Sequence, residues 1–168
     1  MHLLQTSRIE INSTNSEDRS METHTRRAQA TDAAEAADVL RRSVIELCVS
    51  DHQNDPTRID EWISNKTEEA WRKWVRRDDA VVLVAQRNCQ IVGVGMVSLG
   101  GEILLNYVHP EARFTGVSKA MLTAVETELR SHKIQRCWLE STVTAASFYM
   151  SCGFSAEPRG TLFFAKAL

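Results

Sequence analysis

The sequence predicts an α/β fold, a mixed and mostly antiparallel central sheet flanked by helices with one long crossover helix. Three observations predict it. The apolar period changes from that of helices to that of strands near Ala80. Two hairpin signals then follow in succession, a turn around Arg87–Asn88 and the pair Gly100–Gly101. An amphipathic stretch of about four turns separates these strands from two more.

The stretch HTRRAQ (24–29) reads as a short first strand. In TDAAEAADVLRRSVIELC (31–48), Asp32 and Glu35 have the spacing of a helix cap and its third residue, and Ala36, Leu40, Val44, Leu47 and Cys48 form one apolar stripe. Pro56 in DPTRIDEWISN opens a short helix with Ile59, Trp62 and Ile63 on one face. TEEAWRKWVRR repeats the pattern with Ala70, Trp71, Trp74 and Val75. AVVLVAQ (80–86), CQIVGVGMVSL (89–99) and EILLNYV (102–108) are three strands joined by the two turns. The crossover helix is 116–132, with Ala120, Met121, Ala124, Val125 and Leu129 facing inward. A strand at QRCWLEST, a short helix at TAASFYMSCGF stopped by Gly153, and a final strand at TLFFAKAL complete the chain. The order is β-α-α-β-β-β-α-β-α-β, counting the two short helices as one unit.

The 168 residues suffice for one domain with a full core. Twenty basic against twenty-two acidic residues give a net charge of -2, which disfavours nucleic acid and anionic membranes as partners. Cys48, Cys89, Cys137 and Cys152 lack a CxxC spacing, and each sits in an apolar segment, the pattern of buried thiols in a reducing, cytoplasmic compartment. The apolar runs fall short of the roughly 18 residues a membrane span needs. Residues 1–22 read as a polar, disordered tail preceding a single domain over 23–168, and both Met1 and Met21 stand as candidate starts.

The stretch RFTGVS (113–118) lies between a strand and a helix. A glycine there lets the backbone approach a ligand, and the free amides of the first helical turn suit an anion such as pyrophosphate. Three sharper readings fail. A P-loop lacks both its first glycine and the Gly-Lys pair. GVGMVS, part of a dinucleotide fingerprint, lies within a strand and opens no helix. Ser118 in GVSKA is too far from the preceding strand for a nucleophile elbow, with seven residues between Val108 and Gly116.

RFTGVS resembles the Q/R-x-x-G-x-G/A acyl-CoA loop of the GNAT N-acetyltransferases, and TAASFYMSCGF resembles their A-x-x-F-Y-x-x-x-G-F signature. The element order is also similar, and the resemblance runs from about Thr25 to Leu168. It departs at Ser118, where the family has Gly or Ala, and at Thr142, where many members carry an Asn that contacts the cofactor arm.

The resemblance implies an acetyl-CoA-dependent transfer of an acetyl group directly to an amine. Backbone amides of Arg113, Phe114, Thr115, Gly116, Val117 and Ser118 would cradle the pyrophosphate, with charge from Arg113 and Lys119. The pantetheine arm would lie along the strand ending at Tyr107 and Val108, where backbone N–H groups hold the thioester carbonyl. Tyr149 matches the tyrosine that protonates the departing thiolate. Glu102 resembles the glutamate base of the histone acetyltransferase branch. It lies about 20 Å along the strand from Val108 and so would act through a water; Glu140 is the competing base. Cys152 reads as a structural thiol, since direct transfer needs no nucleophile, and the spacing of Cys48 and His52 lacks the further pair a zinc site requires.

The acceptor is a small-molecule or protein amine. Asp51, His52, Asp55 and Glu61 are candidates to attract it and Trp62 to wall it, although Asp55 before Pro56 also reads as a helix cap and the tryptophans as core anchors. Three of the four tryptophans lie between residues 62 and 74, which suggests an apolar surface and a homodimer contact. The alternative function is a non-catalytic acyl-CoA-binding regulatory module, which would need the loop at Gly116 but neither Tyr149 nor a facing carboxylate.

Overall fold

A computed structural model describes residues 22–168, so the tail and its alternative start lie, but for Glu22, outside the described residues. The strands are β1 (His24–Arg27), β2 (Ala80–Arg87), β3 (Gln90–Ser98), β4 (Ile103–Val108), β5 (Arg136–Glu140), β6 (Ser155–Ala156) and β7 (Phe163–Ala167). The helices are α1 (Ala33–Leu47), α2 (Val49–His52), α3 (Pro56–Ile63), α4 (Glu68–Trp74), α5 (Val117–Ser131) and α6 (Ala146–Ser151). The one-turn α2 and the two-residue β6 are too short for periodicity to reveal.

The strands form two antiparallel sheets, β1-β2-β3-β4 and β5-β7-β6. The crossover through α5 brings β5 alongside β4 in parallel, but the two touch at one bridge, Glu102 to Trp138, where Trp138 N–H donates to Gly101 O at 3.0 Å. Beyond that point β4 and β5 diverge. The expected mixed, mostly antiparallel arrangement is present, opened between β4 and β5, and this opening makes the site described below. Gly101 is required at the bridge: its φ is +95°, and a Cβ there would lie 2.5 Å from Arg136 O.

β2 is buried on both faces, so its alternation supplies two cores. Val81 and Leu83 meet Met121, Val125 and Leu129 of α5 on one side. Val82 and Val84 meet Leu40 of α1 and Trp71 of α4 on the other. The glycines of GVGM serve packing: a Cβ at Gly93 would lie 2.8 Å from Val117 Cγ1, and one at Gly95 2.6 Å from Met121 Cε, so α5 presses its N-terminal half directly onto β3. Glu126 on the same helix is a buried carboxylate, satisfied by Lys166 at 2.7 Å and Arg130 at 3.2 Å.

Several local expectations are corrected. A 3-10 turn at Ala30–Asp32 precedes α1, so Asp32 is already helical (φ -74°, ψ -5°) and does not cap the helix with its side chain. Its carboxylate instead accepts Gln29 N–H at 2.7 Å and a two-point ion pair from Arg26, at 2.8 Å each. Glu35 reaches Ile91 N–H at 3.0 Å. The β2–β3 turn lies one residue later than expected, at Asn88 and Cys89, both left-handed with φ 48° and 62°. That shift exposes Cys89, whereas Cys48 and Cys137 are buried and Cys152 is half-buried. Asp55 does cap α3, accepting Thr57 N–H at 2.9 Å. Trp71 is fully buried and donates to Gln29 O at 2.9 Å, whereas Trp62, which donates to Tyr107 Oη at 3.2 Å, and Trp74 are half-buried.

Candidate active site

The divergence of β4 from β5 opens a cleft of about 700 Å³, lined by β4, the end of β5, α6, the start of α5 and the end of α1. In an antiparallel ladder residues alternate between bonded and non-bonded pairs. His109 N–H donates to Val92 O at 2.8 Å, which fixes the phase of the β3–β4 register. Tyr107 is then a bonded partner of Val94, and its amide points to β3. The amides of Asn106 and Val108 point to the unpaired edge, into the cleft. The donors on this edge are thus Asn106 and Val108, one residue to either side of Tyr107.

At one end of the cleft stands the loop into α5. Gly116 occupies the helix N-cap with φ 86°, a left-handed conformation that glycine takes without strain. Phe114, φ 62° and 90% exposed, lies at the loop's tip with the Arg113 guanidinium 4.5 Å from its ring centroid. Arg113, Phe114, Gly116, Val117, Ser118 and Lys119 all line the cleft. Thr115 does not: its hydroxyl donates to Ala112 O at 2.6 Å, and Arg87 of β2 donates to its hydroxyl and carbonyl at 2.8 and 2.7 Å. Thr142 lines the cleft from the opposite wall, and its hydroxyl accepts Ala145 N–H at 3.1 Å at the entry to α6.

Tyr149 lies buried in the wall, packed edge-on against Phe148 and Phe154 with ring centroids 5.2 and 5.5 Å away. Its Oη accepts an N–H from Asn106 Nδ2 at 3.3 Å, which leaves the phenolic hydrogen free to point elsewhere. Asn106 Oδ1 is itself buried without a partner. Burial pushes the Tyr149 phenol up to about 12, against the pull of the Asn106 bond, and burial pushes Tyr107 up to about 12 as well. Tyr149 is thus a neutral proton donor at ordinary pH.

These are the chain's only two tyrosines. Folded protein followed by tyrosinate absorbance should stay flat through pH 10, where the unfolded chain titrates. Because the folded state holds both protons longer, stability falls as pH rises from about 10 towards 12. A full tyrosinate signal at pH 10 without unfolding would contradict this burial.

Of the two candidate bases, Glu140 lines the cleft from the exposed end of β5. Glu102 sits at the closed end beside the bridge to β5, its N–H bonded to Ser98 Oγ at 3.1 Å, outside the cleft lining. Asp51 is committed elsewhere than the sequence suggests. Its carboxylate accepts Val143 N–H at 2.6 Å, Thr144 N–H at 3.3 Å and Thr144 O–H at 2.6 Å, strapping α2 to the β5–α6 loop. His52 is buried, with Nε2–H donating to Val44 O at 3.0 Å and Nδ1 accepting Asn54 N–H at 3.0 Å, so both ring nitrogens are occupied. The Cys48 thiol lines the cleft but burial pushes it up to about 11, which keeps it protonated and inert. Asn106, Arg87 and the strap at Asp51 are the site features that sequence reasoning misses.

A family model described as an acetyltransferase (GNAT) domain matches residues 48–163. Among solved structures, the PaiA N-acetyltransferase of Thermoplasma acidophilum, in complex with coenzyme A, is similar at 21% identity and TM-score 0.78, covering 88% of this chain and 99% of that one. A GNAT family acetyltransferase of Brucella melitensis in complex with acetyl-CoA gives 20% identity and TM-score 0.61, with 88% and 89% covered. The ribosomal-protein-S18-alanine N-acetyltransferase of Escherichia coli gives 16% identity and TM-score 0.60, with 87% and 94% covered. Identities this low establish a likeness of fold. No curated protein matches the sequence.

Proposed function

The chain belongs to the GNAT acetyltransferase family, and from that premise we propose that it moves an acetyl group directly from acetyl-CoA to an amine of a small molecule or protein. It is an acyltransferase, and acetyl-CoA is its donor. The observation that carries the reading is the convergence, in one cleft, of the open β4 edge, the left-handed Gly116 at the start of α5 and the hydroxyl of Tyr149. The donor fits this arrangement: a 15-residue helix offers its first amides to an anion, and an unpaired strand edge offers N–H groups to an extended arm.

When bound, acetyl-CoA supplies an activated thioester. The amides of Phe114, Gly116, Val117 and Ser118 hold its pyrophosphate; Arg113, whose own N–H is taken by Pro110 O at 3.2 Å, adds positive charge through its side chain, as does Lys119. The amides of Asn106 and Val108 hold the arm and the thioester oxygen, where negative charge develops as the amine attacks. Tyr149 gives its proton to the departing sulfur. Glu140, facing the cleft, takes the proton from the amine; Glu102, at the closed end, is left a role through water. No observation favours the non-catalytic module over the enzyme. No helix among the described residues is long and apolar enough to cross a membrane. On this reading the protein works in the cytoplasm, a reducing compartment that suits four free cysteines.

Calorimetric titration with acetyl-CoA, then CoA, then ATP tests the reading. Micromolar binding of acetyl-CoA without comparable binding of ATP is expected, followed by thiol release when small amines or lysine-bearing peptides are added. No heat and no thermal stabilisation at high acetyl-CoA would end it.

A further inference from the structure

Arg87 stands behind the acyl-CoA loop, outside the cleft, at the end of β2. Its guanidinium makes three short contacts: Nη2–H donates to Thr115 O at 2.7 Å, Nη1–H to Thr115 Oγ1 at 2.8 Å, and Nε–H to Thr23 Oγ1 at 2.7 Å. The Thr115 hydroxyl in turn donates to Ala112 O at 2.6 Å, so one planar fork fixes the turn that leads into α5.

The carbonyl of Thr115 and the N–H of Gly116 belong to the same peptide unit, which is trans, and in a planar trans peptide these two bonds point in opposite directions. Pulling the carbonyl back towards Arg87 therefore sends the Gly116 N–H forward, into the cleft that Gly116 lines and Thr115 does not. Gly116 is the residue least able to hold that direction by itself, since it adopts positive and negative φ with equal ease and a Cβ there would touch nothing within 4 Å. A charged donor on the carbonyl also polarises the peptide and strengthens its N–H as a donor.

We propose that Arg87 is a positioning residue for the acyl donor, which aims and strengthens the Gly116 amide for the pyrophosphate of acetyl-CoA by holding the other end of the same peptide. It touches no ligand atom. The proposal rests on the reading of the loop given above and extends it to the opposite side of the backbone. The orientation is set before the ligand arrives, so its effect falls on affinity.

The test uses full-length protein, its Arg87→Met and Arg87→Lys variants, and two probes: acetyl-CoA and S-acetylpantetheine, which lacks the pyrophosphate. Arg87→Met should weaken acetyl-CoA about tenfold, as loss of one well-oriented charged contact does. Arg87→Lys keeps the charge but loses the fork and should weaken it about threefold. Competition by S-acetylpantetheine should be the same for all three proteins. With glycine nitrogen labelled, the seven glycines give a simple amide spectrum. On adding acetyl-CoA, the Gly116 proton should move downfield in the wild type and much less in Arg87→Met.

Wild-type affinity and wild-type Gly116 shift in Arg87→Met would overturn the proposal. So would an Arg87→Lys variant that matches the wild type in both, since charge alone would then suffice; this variant also decides the matter if Arg87→Met folds poorly. Failure of the wild type to bind acetyl-CoA would bring down the loop reading itself, an outcome distinct from these two.

Discussion

Replacing Tyr149 with Phe is expected to lower turnover by a factor of about 10² to 10⁴ while acetyl-CoA affinity changes by about twofold or less, the size associated with loss of one general acid. The substitution keeps the ring and its edge-on contacts with Phe148 and Phe154, so the cleft wall stays in place. It removes one oxygen, and with it the proton that the proposed mechanism gives to the leaving sulfur. Asn106 Nδ2 then loses its partner beside an Oδ1 that already has none, so a stability cost of about 1 kcal/mol accompanies the change. Thiol release under saturating donor and amine, with donor affinity measured separately, checks both halves. Unchanged turnover would remove Tyr149 from the chemistry and send the search to water.

The second large effect is on stability. Gly101→Ala should cost about 3 kcal/mol, because it combines an unfavourable backbone with a steric overlap. At φ +95° an alanine is strained, and its Cβ would stand 2.5 Å from Arg136 O, an atom of backbone that cannot swing aside. Relief requires β5 to move away from β4, which breaks the bond from Trp138 N–H to Gly101 O and with it the bridge between the two sheets. Urea unfolding should show a lower midpoint, and acetyl-CoA should bind more weakly because the cleft walls part. An alanine variant as stable as the wild type would mean that the junction yields freely.

Much of this molecule is local and so was legible. The strands from Ala80 to Val108 alternate in a way the chain cannot hide, and the stripe of α5 at Met121, Val125 and Leu129 is a short-range periodicity. Asp55 caps α3 from two residues away. Tyr149 and the Gly116 loop were read from a family likeness, and both line the cleft. What escaped depends on contacts between distant parts of the chain. Arg87 meets Thr115 across 28 residues, and Asp51 meets Thr144 across 93, so no pattern in either neighbourhood announces the partner. Asp32 does stand at the N-cap of α1, but the 3-10 turn before it gives it a helical conformation and turns its carboxylate to Gln29 and Arg26, and a hairpin two residues long moved Cys89 out of a strand. The divergence of β4 from β5 is a property of neither strand alone.

That divergence bears on solubility as much as on catalysis. A strand edge with unspent N–H and C=O groups is the surface on which proteins recruit one another into aggregates, and folds ordinarily blunt it with charge, proline or a covering loop. Here the unspent edge of β4 faces inward, opposite α6 and beneath the segment that Asp51 ties down. A single slender molecule can thread it, whereas another chain's strand, with neighbours of its own, cannot. The same enclosure that forms the cleft keeps this edge from pairing with the strand of another chain.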